Sequence, residues 1–308
     1  MAKILITESV HPIGPELLTA AGHTVVYADR DMDIIRREIV DADAVLVRII
    51  ELPGSLLATA KNLKIVSKHG VGYDNIDLDY CKSHGVAVTI TPNANSLSVA
   101  EHAFTLMLTL AKNIIPVSNE YRTVGFAAKN HAPGIEMTGK TLGLIGMGRI
   151  GKHVLHMCKD GLDMHVIVYD PYISEVPEGV EKVDDLSELL RRADIVTLHC
   201  LLTDETRKLI DRERLALMKP TALLINCARG PIVDEAALIE ALEHGRLAGA
   251  GLDVTDPEPV APDSPLFKLP NVIVTPHYAP TTVESATRVS KIAAENINAV
   301  LAGQEPVG

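Results

Sequence analysis

Short runs of Val, Ile and Leu alternate with segments of helical periodicity along most of this chain. Runs of this kind predict strands buried on both faces, as in a parallel sheet that is covered by helices. Because a longer helical segment divides the strands into two series, the pattern predicts an α/β fold with two doubly wound parallel sheets. The predicted strands are residues 2–7, 24–27, 44–47, 64–67 and 87–90 in the first series and 141–145, 165–169, 195–198, 222–226, 248–253 and 272–275 in the second.

The two series of strands predict two domains, and a chain of 308 residues is long enough for both. Residues 1–95 are predicted to form the first domain and residues 96–278 the second. A helix predicted over residues 281–301 has no strand after it. We therefore expect residues 279–308 to return to the first domain and complete it.

The segment between the two series predicts one long apolar helix over residues 96–115. Ser98 and Glu101 have the spacing of a capping box, which predicts the start of the helix. Pro116 predicts its end, because proline cannot continue the hydrogen bonding of a helix interior.

The composition excludes several classes of function. With 40 acidic and 29 basic residues the formal charge is −11, which disfavours nucleic acids and anionic membranes as partners. Four separated cysteines without a Cys-x-x-Cys pair predict neither a disulfide framework nor a metal site. The sequence has neither a signal-peptide pattern at its start nor an apolar stretch near the ~20 residues of a membrane span, so we expect a cytoplasmic protein.

A glycine-rich segment directly follows the strand predicted at 141–145 and opens a helix. Its first glycine permits a tight turn, its second lets the backbone approach a pyrophosphate, and its third lets the helix pack on the strand. Asp170 ends the next strand, 19 residues after the last glycine, where a carboxylate binds the adenosine ribose hydroxyls and repels a 2′-phosphate. The pattern predicts NAD as the cofactor. The residues of this segment assigned to NAD binding are Gly146, Gly148, Arg149, Ile150 and Gly151.

Hydride transfer with a nicotinamide cofactor requires a substrate anchor and a proton donor. Arg229 follows the strand at 222–226 and His277 follows the strand at 272–275, so both are predicted at the carboxyl edge of one sheet, where open α/β folds bind ligands. A guanidinium can clamp a carboxylate, and an imidazole exchanges protons near neutral pH. Glu258, in a Pro-rich turn between them, can hydrogen-bond His277 and keep it protonated.

Eight motifs occur in the order found in the D-isomer-specific 2-hydroxyacid dehydrogenases, and the chain resembles that family over nearly its whole length, above all its phosphoglycerate dehydrogenases. The resemblance implies a Rossmann NAD-binding domain, a flavodoxin-like discontinuous substrate-binding domain and a homodimer. It also implies a short form without the regulatory domain that many of these enzymes carry. The motifs are residues 70–77, 91–95, 99–101, 146–151, 226–230, 251–254, 258–259 and 276–277.

The same resemblance implies a role for each site residue. Arg229 orients the substrate carboxylate and carbonyl, His277 is the acid/base and Glu258 supports the histidine. Asp253 lies by the nicotinamide carboxamide, and Cys227 belongs to the cofactor site. The reaction implied is the reversible interconversion of a D-2-hydroxy acid and its 2-oxo acid, with NAD as the acceptor.

The substrate is the least determined part of the hypothesis. The resemblance implies that the backbone amides of Val71 and Gly72 grip the substrate carboxylate. Arg48 and Lys68, each at a strand end, can place cations near the far end of a substrate, although ordinary surface charge explains them equally well. The first candidate is 3-phosphoglycerate, followed by hydroxypyruvate or glyoxylate and by other distally anionic acids such as sulfolactate. A different class of function, an NAD(H)-sensing protein-interaction module, also fits these motifs.

Overall fold

Two parallel sheets organise residues 1–307, the part of the chain that the computed structural model describes. One unit contains Met1–Ser96 and the segment that begins at Pro280, and the other contains Leu97–Ala279. The predicted α/β fold with two parallel sheets is confirmed. The strands are β1 (Lys3–Ile6), β2 (Thr24–Tyr27), β3 (Ala44–Val47), β4 (Ile65–Lys68), β5 (Ala87–Thr89), β6 (Thr141–Ile145), β7 (His165–Tyr169), β8 (Val180–Lys182), β9 (Ile195–Leu198), β10 (Leu223–Asn226), β11 (Gly249–Leu252) and β12 (Val272–Val274).

The helices lie mostly between consecutive strands, as parallel connections require. Short 3₁₀ helices at Ile39–Asp41, Gly125–Asn130, Gly230–Ile232 and Pro265–Lys268 complete the connections. The α-helices are α1 (Ile13–Ala20), α2 (Met32–Glu38), α3 (Gly54–Leu57), α4 (Leu78–Ser83), α5 (Ser96–Ala111), α6 (Ile114–Val124), α7 (Arg149–Leu162), α8 (Leu186–Arg192), α9 (Arg212–Leu215), α10 (Glu235–Glu243) and α11 (Val283–Leu301).

The first unit has a five-stranded sheet in the order β2-β1-β3-β4-β5, which is the flavodoxin-like order. Alternate residues of its central strands face opposite sides, so the sheet separates two apolar cores. Leu5 and Val45 face the core that α2 helps to form, whereas Ile4 and Leu46 face the core that contains Ile297 of α11. The C-terminal helix is therefore part of the first unit's core.

The second unit has a seven-stranded sheet in the order β12-β11-β10-β9-β6-β7-β8. Strands β9, β10 and β11 are buried at every residue, which explains their mostly apolar sequences. β6 pairs with β9 on one side and with β7 on the other, so the strand order reverses there. Ligands of open α/β sheets bind outside the carboxyl ends of the strands at such a reversal.

The predicted strands are all present, with ends within one residue of the prediction. The short strand β8 was not predicted, because an edge strand of only Val-Glu-Lys has no apolar run to mark it. The prediction of one helix over residues 96–115 is wrong in its extent, because α5 ends at Ala111. Its break comes at Asn113, which adopts a left-handed conformation at φ +50°, and Pro116 lies in the first turn of α6, where no intrahelical N–H bond is needed.

The predicted capping box is also wrong. Helix α5 begins at Ser96, so Ser98 and Glu101 lie inside it. The predicted N-cap lies three residues too late, because the first helical residue is Ser96 and the N-cap position is residue 95, at the end of the preceding turn. Within residues 1–307, no helix combines the length and the apolar character needed to cross a membrane.

The packing of α1 on α11 gives a test of the first unit. A Cβ on Gly14 would collide with the Ser290 side chain and lie 2.7 Å from the Ser290 carbonyl oxygen, whereas a Cβ on Gly161 of α7 would meet no atom within 4 Å. We expect Gly14→Ala to lower the free energy of unfolding by about 1–3 kcal/mol through overpacking. Gly161→Ala is the control, and we expect it to raise that free energy by about 0.5 kcal/mol.

Urea unfolding of both variants measures these changes. Equal effects of the two substitutions would contradict the close approach of α1 and α11.

Candidate active site

A tight glycine turn joins β6 to α7. Gly146 has φ +89°, and a Cβ there would lie 2.7 Å from the backbone nitrogen of Cys200. A Cβ on Gly151 would collide with the Gly146 carbonyl oxygen, so the helix packs on the turn only because both residues are glycine. Gly148 is the exposed N-cap residue of α7 and faces open space. The uncapped N–H groups and the open space at Gly148 fit the pyrophosphate of a dinucleotide.

Asp170 follows β7 and is hydrogen-bonded to this glycine turn. Its Oδ2 accepts a bond from the Met147 amide at 2.9 Å, and its Oδ1 accepts one from the Tyr172 amide at 3.0 Å. The Tyr172 hydroxyl donates to Glu205 at 3.2 Å, and the Glu205 charge raises the pKa of Tyr172. A fixed carboxylate beside a pyrophosphate site fits the hydroxyls of an adenosine ribose.

Three side chains that follow β9 and β10 are uncharged near neutral pH: His199, Cys200 and Cys227. Burial lowers the pKa of His199 to about 3 and raises the pKa of Cys200 to about 11. Burial, with a smaller contribution from Asp253, raises the pKa of Cys227 well above its ordinary value. These thiols stay protonated near neutral pH, so they cannot supply a thiolate nucleophile.

His277 and Glu258 form the ion pair or hydrogen bond that the sequence predicts for them. The His277 Nδ1 and Glu258 Oε1 lie 2.7 Å apart, and the His277 side chain is 30% exposed. Because a carboxylate accepts hydrogen bonds and cannot donate them, the proton between the two groups belongs to Nδ1. This arrangement leaves His277 Nε2 as the ring atom that can exchange a proton with a bound molecule.

Asp253 fixes the backbone on both sides of His277. It follows β11 and is 1% exposed. Its Oδ1 accepts bonds from the Thr275 hydroxyl at 2.6 Å and the Tyr278 amide at 2.7 Å, and its Oδ2 accepts one from the Ala279 amide at 2.9 Å. The carboxylate that the family resemblance places beside a nicotinamide is thus engaged by the protein's own donors. Its contact with a cofactor stays a prediction.

Arg229 is half-buried in the loop that leaves β10. Asn226 shapes this loop, because its side chain accepts from the Ala228 amide at 3.0 Å and donates to the Arg229 carbonyl at 2.9 Å. The guanidinium donates from Nη1 to the Ala228 carbonyl at 2.8 Å. A Cβ on Gly230 would collide with the Thr255 carbonyl, so the loop lies against the segment that leads to Glu258.

Val71 and Gly72 lie in the loop after β4 of the first unit. Their backbone amides are predicted to bind the substrate carboxylate. Both residues are half-buried. The loop is tied to the next strand end, because the Gly70 carbonyl accepts bonds from the Thr91 amide at 2.8 Å and the Thr91 hydroxyl at 3.2 Å. The geometry is that of an ordered turn, and its role in substrate binding stays a prediction.

Lys68 differs from its predicted role. It is 6% exposed, and its ammonium group donates to the Arg48 carbonyl and, at 2.5 Å, to Asn75 Oδ1. A lysine held in this way joins the loops after β3 and β4, so we correct its assignment from a contact for the far end of a substrate to a loop contact. Arg48 keeps an accessible guanidinium, which donates to the Ser9 carbonyl at 2.9 Å.

The second unit matches a known protein family. The model of the family "D-isomer specific 2-hydroxyacid dehydrogenase, NAD binding domain" matches residues 104–279. The chain belongs to the D-isomer specific 2-hydroxyacid dehydrogenase family. The predicted family membership and the predicted NAD cofactor are both confirmed by this match.

Curated relatives of this chain carry two different names. It is 43% identical over 99% of its length to D-3-phosphoglycerate dehydrogenase of Methanocaldococcus jannaschii, and 39% identical over 96% of its length to the protein of that name in Archaeoglobus fulgidus. It spans 58% and 56% of the lengths of these two relatives. It is 38% identical over 99% of its length to glyoxylate reductase of Thermofilum pendens, of which it spans 93%.

Solved structures match this chain over nearly its full length. The TT0316 protein from Thermus thermophilus has a TM-score of 0.91 at 35% identity, with 99% of both chains covered. D-lactate dehydrogenase from Aquifex aeolicus, complexed with NAD and lactic acid, has a TM-score of 0.88 at 33% identity and covers 97% of this chain and 96% of its own.

Sequence reasoning missed several polar groups that organise this site. His102 of α5 contacts Thr275 and Asp253, and in the first unit the buried Glu8 accepts bonds from the amides of Arg48 and Ile49, both at 2.8 Å. A carboxylate at the end of β1 is a weak sequence signal, and His102 lacks any local motif. Among the described residues no group of three or more His, Cys, Asp and Glu side chains could hold a metal ion.

Asp170 gives a direct test of cofactor selection in this chain. We expect Asp170→Asn to weaken NADH binding and strengthen NADPH binding, shifting the ratio of the two dissociation constants by roughly tenfold or more, because a charged hydrogen-bond acceptor and a repulsive charge are both lost. NADH and NADPH fluorescence titrations measure both constants.

Asp184→Asn is the matched control, because it removes an exposed carboxylate of the same unit that bonds to Lys182. An unchanged ratio in Asp170→Asn, or an equal change in the control, would contradict the assignment of Asp170.

Proposed function

We propose that this chain is an NAD-dependent oxidoreductase that interconverts a D-2-hydroxy acid and its 2-oxo acid. The observation that carries the proposal is the 2.7 Å contact between His277 Nδ1 and Glu258 Oε1 in the same unit as the glycine turn at Gly146. Hydride transfer to a carbonyl carbon leaves negative charge on the oxygen, so a positioned proton donor accelerates the reduction. The unit provides both a nucleotide-binding turn and a proton donor.

In the proposed reduction, His277 gives its Nε2 proton to the substrate carbonyl oxygen. Glu258 accepts the Nδ1–H bond, which orients the ring and stabilises its charged form before transfer. Arg229 binds the substrate carboxylate and the oxygen that develops negative charge. When bound by the glycine turn and Asp170, NADH would supply the hydride for C2 of the substrate. In the oxidative direction His277 takes the hydroxyl proton.

The amides of Val71 and Gly72 are proposed to bind the substrate carboxylate, as the family resemblance implies. Asp253 and Cys227 are proposed to border the nicotinamide, and Arg149 and Ile150 to complete the dinucleotide site with the three glycines. We also propose a cytoplasmic homodimer. Exposed apolar side chains on and after α6, a patch that a partner subunit would cover, support it: Ile114, Ile115, Tyr121, Val124 and Phe126.

The first proposed substrate pair is 3-phosphoglycerate and phosphohydroxypyruvate. The 43% identity to a D-3-phosphoglycerate dehydrogenase supports it, as does the accessible Arg48 guanidinium, which can pair with a phosphate. The second candidate pair is glyoxylate or hydroxypyruvate with its reduced form. Two observations favour it: the chain is 38% identical to a glyoxylate reductase, and Lys68 is buried against Asn75 rather than exposed for a second phosphate contact.

A substrate panel tests the proposal. We expect purified protein to oxidise NADH with phosphohydroxypyruvate at a kcat/KM at least about tenfold above those for hydroxypyruvate and glyoxylate, because a charge-assisted bond to phosphate is worth about 1.5–3 kcal/mol. Arg48→Gln should remove that preference. Arg36→Gln, which changes an exposed arginine of α2, is the control and should keep it.

A preference for glyoxylate or hydroxypyruvate that Arg48→Gln does not alter would select the second candidate pair. Binding of NADH without turnover of any 2-oxo acid would contradict the enzymatic proposal and favour an NAD(H)-sensing module.

A further inference from the structure

A hydrogen-bonded chain of side chains connects helix α5 to the backbone around His277. It begins at His102, whose Nε2 lies 3.0 Å from the Thr275 hydroxyl, and passes from that hydroxyl to Asp253 Oδ1 at 2.6 Å. His102 Nε2 itself lies 3.5 Å from Asp253 Oδ1. The His102 side chain is 17% exposed and Asp253 is 1% exposed, so the chain of bonds runs through the interior of the second unit.

The chemistry of these groups fixes the direction of the bonds. The Asp253 carboxylate can only accept, so the single hydroxyl proton of Thr275 is directed to Asp253. The Thr275 oxygen then accepts from His102, which requires a proton on His102 Nε2. Edge-to-face contact with the Tyr278 ring, at 6.2 Å between centroids, helps to orient the imidazole. Each member of the chain therefore has one arrangement that satisfies its neighbours.

At its other end the chain holds His277 in an unfavourable backbone conformation. His277 has φ +52°, in the left-handed region that is unfavourable for a residue with a Cβ. The His277 amide donates to the Asp253 carbonyl at 2.8 Å, and the two following amides, of Tyr278 and Ala279, donate to the Asp253 carboxylate. A residue stays in such a conformation when surrounding bonds over-determine it.

We propose that His102 is a positioning residue, which acts through Thr275 and Asp253 to hold His277 in the geometry for proton transfer. The inference rests on the proposed function, since it assumes that His277 exchanges a proton with the substrate. His102 acts on the backbone that carries the histidine rather than on the imidazole itself. Loss of its bond frees the Thr275 hydroxyl to turn and weakens the Asp253 bond to the segment 277–279.

Kinetic variants test this role. His102→Leu and Thr275→Val remove one link each with little change of volume, and we expect each to lower kcat by roughly tenfold while the NADH dissociation constant stays within about twofold, because small misplacements of a catalytic group are costly. His102→Gln keeps an N–H donor and should retain most of the activity. Thr105→Val is the control on α5, since its hydroxyl bonds to the Glu101 carbonyl on the exposed face.

The double variant His102→Leu/Thr275→Val decides whether the two residues act through one chain. We expect its kcat to be close to that of the single variants, because the same link is lost in all three. Multiplied losses in the double variant, or equal losses in His102→Gln and His102→Leu, would overturn the proposal. So would a loss that falls on NADH binding alone.

Amide hydrogen exchange tests the positioning role without a measurement of enzyme activity. We expect the amides of Tyr278 and Ala279 to exchange faster in His102→Leu and in Thr275→Val than in wild type and in Thr105→Val. If wild type turns over no 2-oxo acid, the proposed function fails while faster exchange still supports the positioning role. Unchanged exchange in both variants would overturn the positioning role even in an active enzyme.

Discussion

The buried carboxylate of Asp253 is the constraint on which the active-site half of the second unit depends. A charge with 1% exposure is costly unless hydrogen bonds satisfy it, and Asp253 receives them from the Thr275 hydroxyl and from the amides of Tyr278 and Ala279. The carboxylate and the segment after β12 depend on each other. The buried charge is stable only when that segment supplies its donors, and the segment, which carries His277, is held by the carboxylate. The ends of β11 and β12 are thereby locked together, and His277 is held where it meets Glu258.

Much of this arrangement could be predicted from the sequence. Parallel strands buried on both faces appear as continuous apolar runs, so β3, β9 and β10 can be located to within one residue. The glycine turn was predictable because only residues without a Cβ fit where Gly146 meets the backbone of Cys200. Glu258 was expected to hydrogen-bond His277 from the Pro-rich turn between Arg229 and His277, and the structure places His277 Nδ1 and Glu258 Oε1 2.7 Å apart.

The rest depended on burial and on bonds between distant residues, which a strand pattern does not encode. Lys68 looks like an accessible cation in sequence, yet its ammonium is enclosed by the Arg48 carbonyl and Asn75, whose position depends on the turn after β4. His102 lies 173 residues before its partner Thr275 and has no motif of its own. The break at Asn113 depends on a single left-handed residue, and an apolar helical period does not reveal it.

The proposed function requires that His277, held by Asp253 and oriented by Glu258, gives the proton in carbonyl reduction. The most direct test is the kcat of His277→Ala with its preferred 2-oxo acid, together with its NADH dissociation constant and its response to added imidazole. We expect kcat to fall by roughly 100-fold or more, NADH affinity to stay within about twofold, and imidazole to restore part of the rate, since a free imidazole can replace the missing proton donor. A variant that retains the wild-type kcat would contradict the claim.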